Sequence, residues 1–125
     1  MVKVIAPMPD TTNTLANLKD AMRRFVAERD WEQFHSPKNL VMGLSVEAAE
    51  LMEHFLWLEN EGSRQIVLQP AELAEVTDEM ADVACYLFAL ANTLGIDLSD
   101  AILGKMEKNA LKYPVEKCKG RYRVE

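Results

Sequence analysis

Two acidic steps, Glu47-Ala-Ala-Glu50 and Glu79-Met-Ala-Asp82, each lie inside a long stretch patterned for a helix. No other feature limits the possible folds as much. At about 100° per residue, Glu47, Glu50, His54 and Trp57 fall within roughly 80° of arc. Glu75, Glu79, Asp82 and Tyr86 fall within about 60° on a helix of their own. Apolar neighbours surround both steps: Ala48, Ala49 and Leu51 in the first, Met80, Ala81 and Val83 in the second. Partial burial is the expectation, and buried carboxylates need hydrogen-bond partners or a cation. Two such faces turned toward each other would place four carboxylates around one small volume, where like charges disfavour joint ionisation.

The apolar spacing predicts four helices and no strand, so the expected class is all-α. The first covers about residues 12–29, with Leu15, Leu18, Met22, Phe25 and Val26 as its stripe and Thr11 or Thr12 as N-cap. After an aromatic connector, Ser36-Pro37 reads as an N-cap followed by a first-turn proline. That second helix is expected to run to about residue 60, and residues 61–69 to form a loop or short turn. Pro70 opens a third helix that Gly95 stops. Asp97 or Ser99 caps a fourth, which Tyr113-Pro114 ends. The whole chain, residues 1–125, reads as one domain with a core at about 13–114 and a basic tail at 115–125.

A net charge of −6 argues against nonspecific binding to a nucleic acid polymer or a membrane surface. An acidic protein can still bind a polyphosphate if a metal bridges the two anions. No apolar run is long enough to cross a bilayer, and the first residues lack the layout of a signal peptide; a cytoplasmic location is the expectation. Cys85 and Cys118 form no CxxC, and Cys85, in an apolar stretch, is expected in the core.

A lone ExxE is usually a solvated face. Two matched steps on separate helices point instead to a metal site formed by Glu47, Glu50, Glu79 and Asp82. A di-iron bundle would need Glu-x-x-His on two helices, and His54 stands four residues after Glu50. Oxygen-only ligation favours Mg²⁺, with Mn²⁺ possible. Trp57 and Tyr86 share the acidic faces, where flat rings could stack on a nucleobase. A core role for these rings, and for Trp31 and Phe34, is the competing reading. In the tail, Lys119 and Arg121 could pair with outer phosphates if it folds over the site.

Residues 29–40, Arg-Asp-Trp-Glu-Gln-Phe-His-Ser-Pro-Lys-Asn-Leu, carry a family resemblance. So do Glu47-x-x-Glu50-Leu-x-Glu53 with Trp57, Glu79-x-x-Asp82-Val-x-x-Tyr86, and Lys105-Met106-x-x-Asn109-x-x-x-Tyr113-Pro114. In order and spacing these resemble the dCTP pyrophosphatase branch of the MazG-like nucleotide pyrophosphohydrolases, over about residues 13–123. The resemblance implies a four-helix fold assembled as a homodimer or homotetramer. It also implies Mg²⁺-dependent hydrolysis of a nucleoside triphosphate, dCTP or a 5-modified dCTP, to the monophosphate and pyrophosphate, clearing surplus or modified nucleotides. Glu47, Glu50, Glu79 and Asp82 match the family's metal-binding carboxylates. Trp31, His35, Trp57 and Tyr86 match positions near base and sugar, and Lys105 and Asn109 match residues that approach the nucleotide. His54 stands where the resemblance implies an apolar residue, and the tail is shorter than it implies.

For the chemistry, a carboxylate not fully committed to the metal would orient or deprotonate the attacking water; Glu50 is the first choice and Glu53 the second. Two other readings stand beside this one. The first is a related pyrophosphohydrolase acting on dUTP or of the phosphoribosyl-ATP type. The second is a non-catalytic helical oligomer that uses its acidic faces to bind metal.

Overall fold

A computed structural model describes residues 9–121. Its elements are helical, with no strand among the described residues. Helices α1 (Leu15–Glu28), α2 (Pro37–Glu53), α3 (Asn60–Arg64) and α4 (Pro70–Leu94) precede Gly95, and α5 (Leu98–Lys112) and α6 (Val115–Cys118) follow it. The chain divides there into two compact units, one ending at Gly95 and the other starting at Ile96. No single helix among the described residues is long and apolar enough to cross a membrane.

In the first unit, α4 is the central element, packed most extensively along α2 and also against α1. Its 25 residues span about 37 Å. The expected start and stop are present: Pro70 occupies the first turn, and Gly95 takes the left-handed conformation (φ 65°) that a side chain would penalise. Among the described residues the buried apolar ones are few: Val26, Leu40, Ile66, Val76, Ala89 and Ala91.

Helix α1 starts later than the threonine pattern implied. Thr14, not Thr11 or Thr12, is the N-cap, its Oγ1 accepting from the Asn17 N–H at 3.1 Å. Thr12 is instead drawn back to Pro9, its N–H and hydroxyl both donating to that carbonyl. The C-terminus of α1 closes through Asp30 at φ 54°. The Asp30 N–H donates to the Ala27 carbonyl at 3.0 Å and the Trp31 N–H to the Val26 carbonyl at 3.1 Å. This is the Schellman arrangement, with aspartate in the position glycine usually takes; its short polar side chain tolerates positive φ and accepts a bond from Gln33.

Helix α2 begins as expected, Ser36 Oγ accepting from the Asn39 N–H and Pro37 in the first turn. It ends at Glu53, well short of residue 60. Bonds between residues three apart take over, Phe55 N–H to Met52 and Leu58 N–H to Phe55, and the chain turns into α3 and a 3₁₀ segment, Gln65–Leu68. No glycine or proline marks this stop. It follows from tertiary packing, because the turn returns Ile66 to a buried position in a segment that contacts α4.

In the second unit, Asp97 caps α5 by accepting from the Asp100 N–H at 3.0 Å, and α5 ends at Tyr113 before Pro114. The described part of the expected tail, residues 115–121, contains α6, with the Arg121 N–H donating to the Cys118 carbonyl.

Candidate active site

The first acidic step lies on α2 and the second on α4, the two helices with the largest shared face. Ligand-capable oxygens of Glu47, Glu50 and Glu79 all lie within 4.8 Å of one another. Close approach of the helices depends on Gly43, one turn before Glu47: a Cβ built there would lie 2.7 Å from Cζ of Tyr86. The missing side chain lets the Tyr86 ring lie against α2 beside the carboxylates.

The cluster is electrostatically costly without a cation. The Glu47 carboxyl is pushed up from its ordinary 4.5 to about 7, chiefly by desolvation, then by its hydrogen bond with Glu50 and the charges of Glu50, Asp82 and Glu79. Glu47 Oε2 and Glu79 Oε2 are buried oxygens with no hydrogen-bond partner. Such oxygens are ordinarily satisfied, and a divalent cation would satisfy both while removing the repulsion. The donor set therefore fits a hard cation. The His54 imidazole lies between Glu75 and Glu79, 3.8 Å from a carboxylate oxygen of each, too far for a hydrogen bond.

A cavity of about 290 Å³ opens beside the cluster. Glu47 and Asp82 line it together with Trp31, His35 and Tyr86. Trp31 is set by the closing turn of α1 and by an edge-on contact with Phe25, ring centroids 5.8 Å apart. The Arg29 guanidinium covers the same Phe25 ring, 3.6 Å from its centroid. A single 3₁₀ turn, Glu32–Phe34, then delivers His35 to the cavity.

Three wall residues were not anticipated: Met22, Phe25 and Cys85. Met22 and Phe25 are three apart on the stripe of α1, a spacing that marked them only as core. Cys85 is exposed on the wall rather than buried in the core. Helix α4 is apolar around more than one face, so its pattern does not say which face is covered. Partial desolvation against the wall, then the charge of Asp82, raises the Cys85 thiol pKa, which disfavours the thiolate.

Two other expected site residues of the first unit, Trp57 and Glu53, are not in the lining of this cavity. Trp57 falls in the turn beyond α2 and is 89% exposed, so the helical register linking it to Glu47 and Glu50 does not hold. Glu53 is the exposed last residue of α2 and is not part of the close carboxylate group. Lys105 and Asn109 stand on α5, and Lys119 and Arg121 follow α6, all in the second unit.

Comparison with known proteins identifies the family. The chain is 41% identical over 107 residues to dCTP pyrophosphatase 1 of Bos taurus and 42% identical over 101 residues to that of Homo sapiens, taking in 86% and 81% of this chain. It spans 63% and 59% of the length of those relatives. A crystal structure of a pyrophosphatase from Archaeoglobus fulgidus superposes with a TM-score of 0.71 at 35% identity, covering 90% of this chain and 99% of that one. Residues 42–123, a span that holds both acidic steps and α5, match the MazG-like family, and the chain belongs to it.

Proposed function

We propose that this chain is a Mg²⁺-dependent nucleoside triphosphate pyrophosphohydrolase that converts dCTP or a 5-modified dCTP to the monophosphate and pyrophosphate. One observation carries the reading: Glu47 and Asp82 open onto the same cavity as Trp31, His35 and Tyr86, so a metal–phosphate site and an aromatic site adjoin. The relatives named dCTP pyrophosphatase 1 support the cytosine nucleotide as substrate.

Glu47, Glu50, Glu79 and Asp82 would hold the cation. Mg²⁺ bound there would offset the triphosphate charge and polarise the scissile phosphoanhydride. Trp31 and Tyr86 offer ring faces to the base and sugar, with His35 beside them. Glu50, exposed at the edge of the cluster, takes a proton from water as the water oxygen attacks phosphorus. The phosphoanhydride bond breaks in line with that attack, and its electron pair leaves on the departing oxygen. Glu53, the second candidate base, is placed less well, outside the close carboxylate group. Lys105, Asn109, Lys119 and Arg121 supply cationic and amide groups for the phosphates in this reading.

The working protein is proposed to be a homodimer or homotetramer. Val46, Met52 and Met80 are each more than half exposed, at 56%, 57% and 57%. Apolar exposure on this scale is typical of subunit surfaces.

Pyrophosphate release from a nucleotide panel, with Mg²⁺ and with EDTA, tests the assignment. Metal-dependent turnover strongest on cytosine nucleotides is expected. A folded, metal-loaded protein that releases none would instead support a metal-binding oligomer without catalysis.

A further inference from the structure

A second cavity, of about 340 Å³, lies in the first unit beside the one described, and Met22 and His35 border both. Each cavity alone is at the small end of the range for small-molecule sites, about 300–1,000 Å³. The shared residues make the two cavities neighbours across Met22 and His35. Its polar lining comes from Arg23, Glu32, Asn92 and Thr93. The Arg23 guanidinium is held in place: Nη2 donates to Asn92 Oδ1 at 3.0 Å and Nη1 to Asp20 Oδ1 at 3.3 Å. Asn92 is anchored in turn, its Nδ2 donating to the Lys19 carbonyl at 2.8 Å. Arg23 forms its ion pair with Asp20 and none with Glu32. Arg23, whose Nη atoms each keep a second N–H beyond the bonds to Asp20 and Asn92, and the Glu32 carboxylate therefore line one cavity with no ion pair between them.

That pair complements a particular chemistry. A guanidinium matches adjacent acceptor atoms, and a carboxylate accepts from the exocyclic amine of cytosine. Cytosine presents O2 and N3 as acceptors beside its N4 amine. Uracil and thymine present O4 and an N3–H instead. We propose that Arg23 and Glu32 read the hydrogen-bonding edge of the base, Arg23 donating to O2 and N3 and Glu32 accepting from the N4 amine, so that an aminopyrimidine nucleotide is chosen over an oxopyrimidine one. The assignment rests on the nucleotide reading given above and names the residues that set its base preference.

The test compares kcat/KM for dCTP and dUTP on the wild-type chain, Glu32→Gln, Arg23→Ala and Arg23→Lys, with Mg²⁺ present. A ratio measured on one preparation is independent of the fraction folded, so partial misfolding cannot imitate the result. Expected is a fall in the dCTP:dUTP ratio of about 10- to 100-fold in Glu32→Gln, the range for a hydrogen bond to a charged group. The loss falls mainly on KM for dCTP, and Arg23→Lys recovers part of what Arg23→Ala loses. An unchanged ratio in Glu32→Gln and Arg23→Ala, with the wild type active, overturns the base-edge assignment and leaves the enzyme reading standing. An equal rise in KM for both nucleotides in Arg23→Ala also overturns it, because Arg23 would then hold phosphate. A wild-type chain that turns over no nucleotide overturns both.

Discussion

On one wall of the site cavity, Glu47 and Asp82 stand on helices of 17 and 25 residues that pack along each other. On another wall, Trp31 and His35 stand on a helix exit and beside a single 3₁₀ turn. The contrast follows from what each wall must do. Carboxylates that repel one another, as those of Glu47, Glu50 and Glu79 do, stay within 4.8 Å only when the backbone beneath them cannot yield. Rings that cover a base need a face and an approximate position, and a turn of few residues suffices. The acidic wall is accordingly expected to govern rate and metal binding, and the aromatic wall to govern substrate affinity.

The largest effect should come from the acidic wall. Glu50→Gln and Asp82→Asn should each lower pyrophosphate release by orders of magnitude, with helical circular dichroism retained. Removing one carboxylate relieves repulsion rather than creating a cavity, so the fold has no reason to fail. Full activity in either variant would remove that residue from the chemistry.

Crowding the two helices of the acidic wall should cost less. Gly43→Ala drives a methyl into the Tyr86 ring, and overpacking of this kind costs about 1–3 kcal/mol. Urea unfolding should show that loss, and KM should rise as Tyr86 is displaced. A variant as stable as the wild type would mean that α2 and α4 can separate freely.

On the aromatic wall, Trp31→Ala should raise KM about 5- to 100-fold while kcat changes little, as expected for stacking worth about 1–3 kcal/mol per base. A fall in kcat with KM unchanged would place Trp31 on the side of the chemistry and erase the contrast.

A further effect is one of pH. The Glu47 carboxyl is raised from 4.5 to about 7 in the ion-free fold. The folded state therefore holds that proton more tightly than the unfolded chain does. The stability this group contributes is complete below about 4.5 and is lost as pH rises through about 7. In EDTA, the melting temperature should decline across that window, and saturating Mg²⁺ should flatten the decline by replacing the proton. Calorimetry in buffers of different ionisation enthalpy should show close to one proton released per ion bound at about pH 6, and almost none at about pH 8. Equal release at both values would show that Glu47 does not face the ion.

Much of the frame was readable from local chemistry. Ser36-Pro37, Pro70 and Gly95 act within a turn of their own positions, so the helix starts at 37 and 70 and the stop at 95 fall where expected. Glu47, Glu50 and Glu79 converge because their spacing sets them on single helical faces. Other features have causes distant in sequence. The end of α2 at Glu53 is set by the return of Ile66 toward α4, and Trp57 moves off the acidic face as a result. Cys85 emerges on the cavity wall because neighbouring helices cover other faces of α4.

The sequence by itself determined the all-helical class, the positions of most caps and the two acidic faces, because each rests on interactions between residues a few positions apart. Tertiary structure alone decided which faces meet, how closely Gly43 admits Tyr86, and that Arg23 and Glu32 line a second cavity beside the first. Those outcomes depend on pairs such as Arg23 and Asn92, 69 residues apart, whose meeting is set by packing rather than by any local pattern.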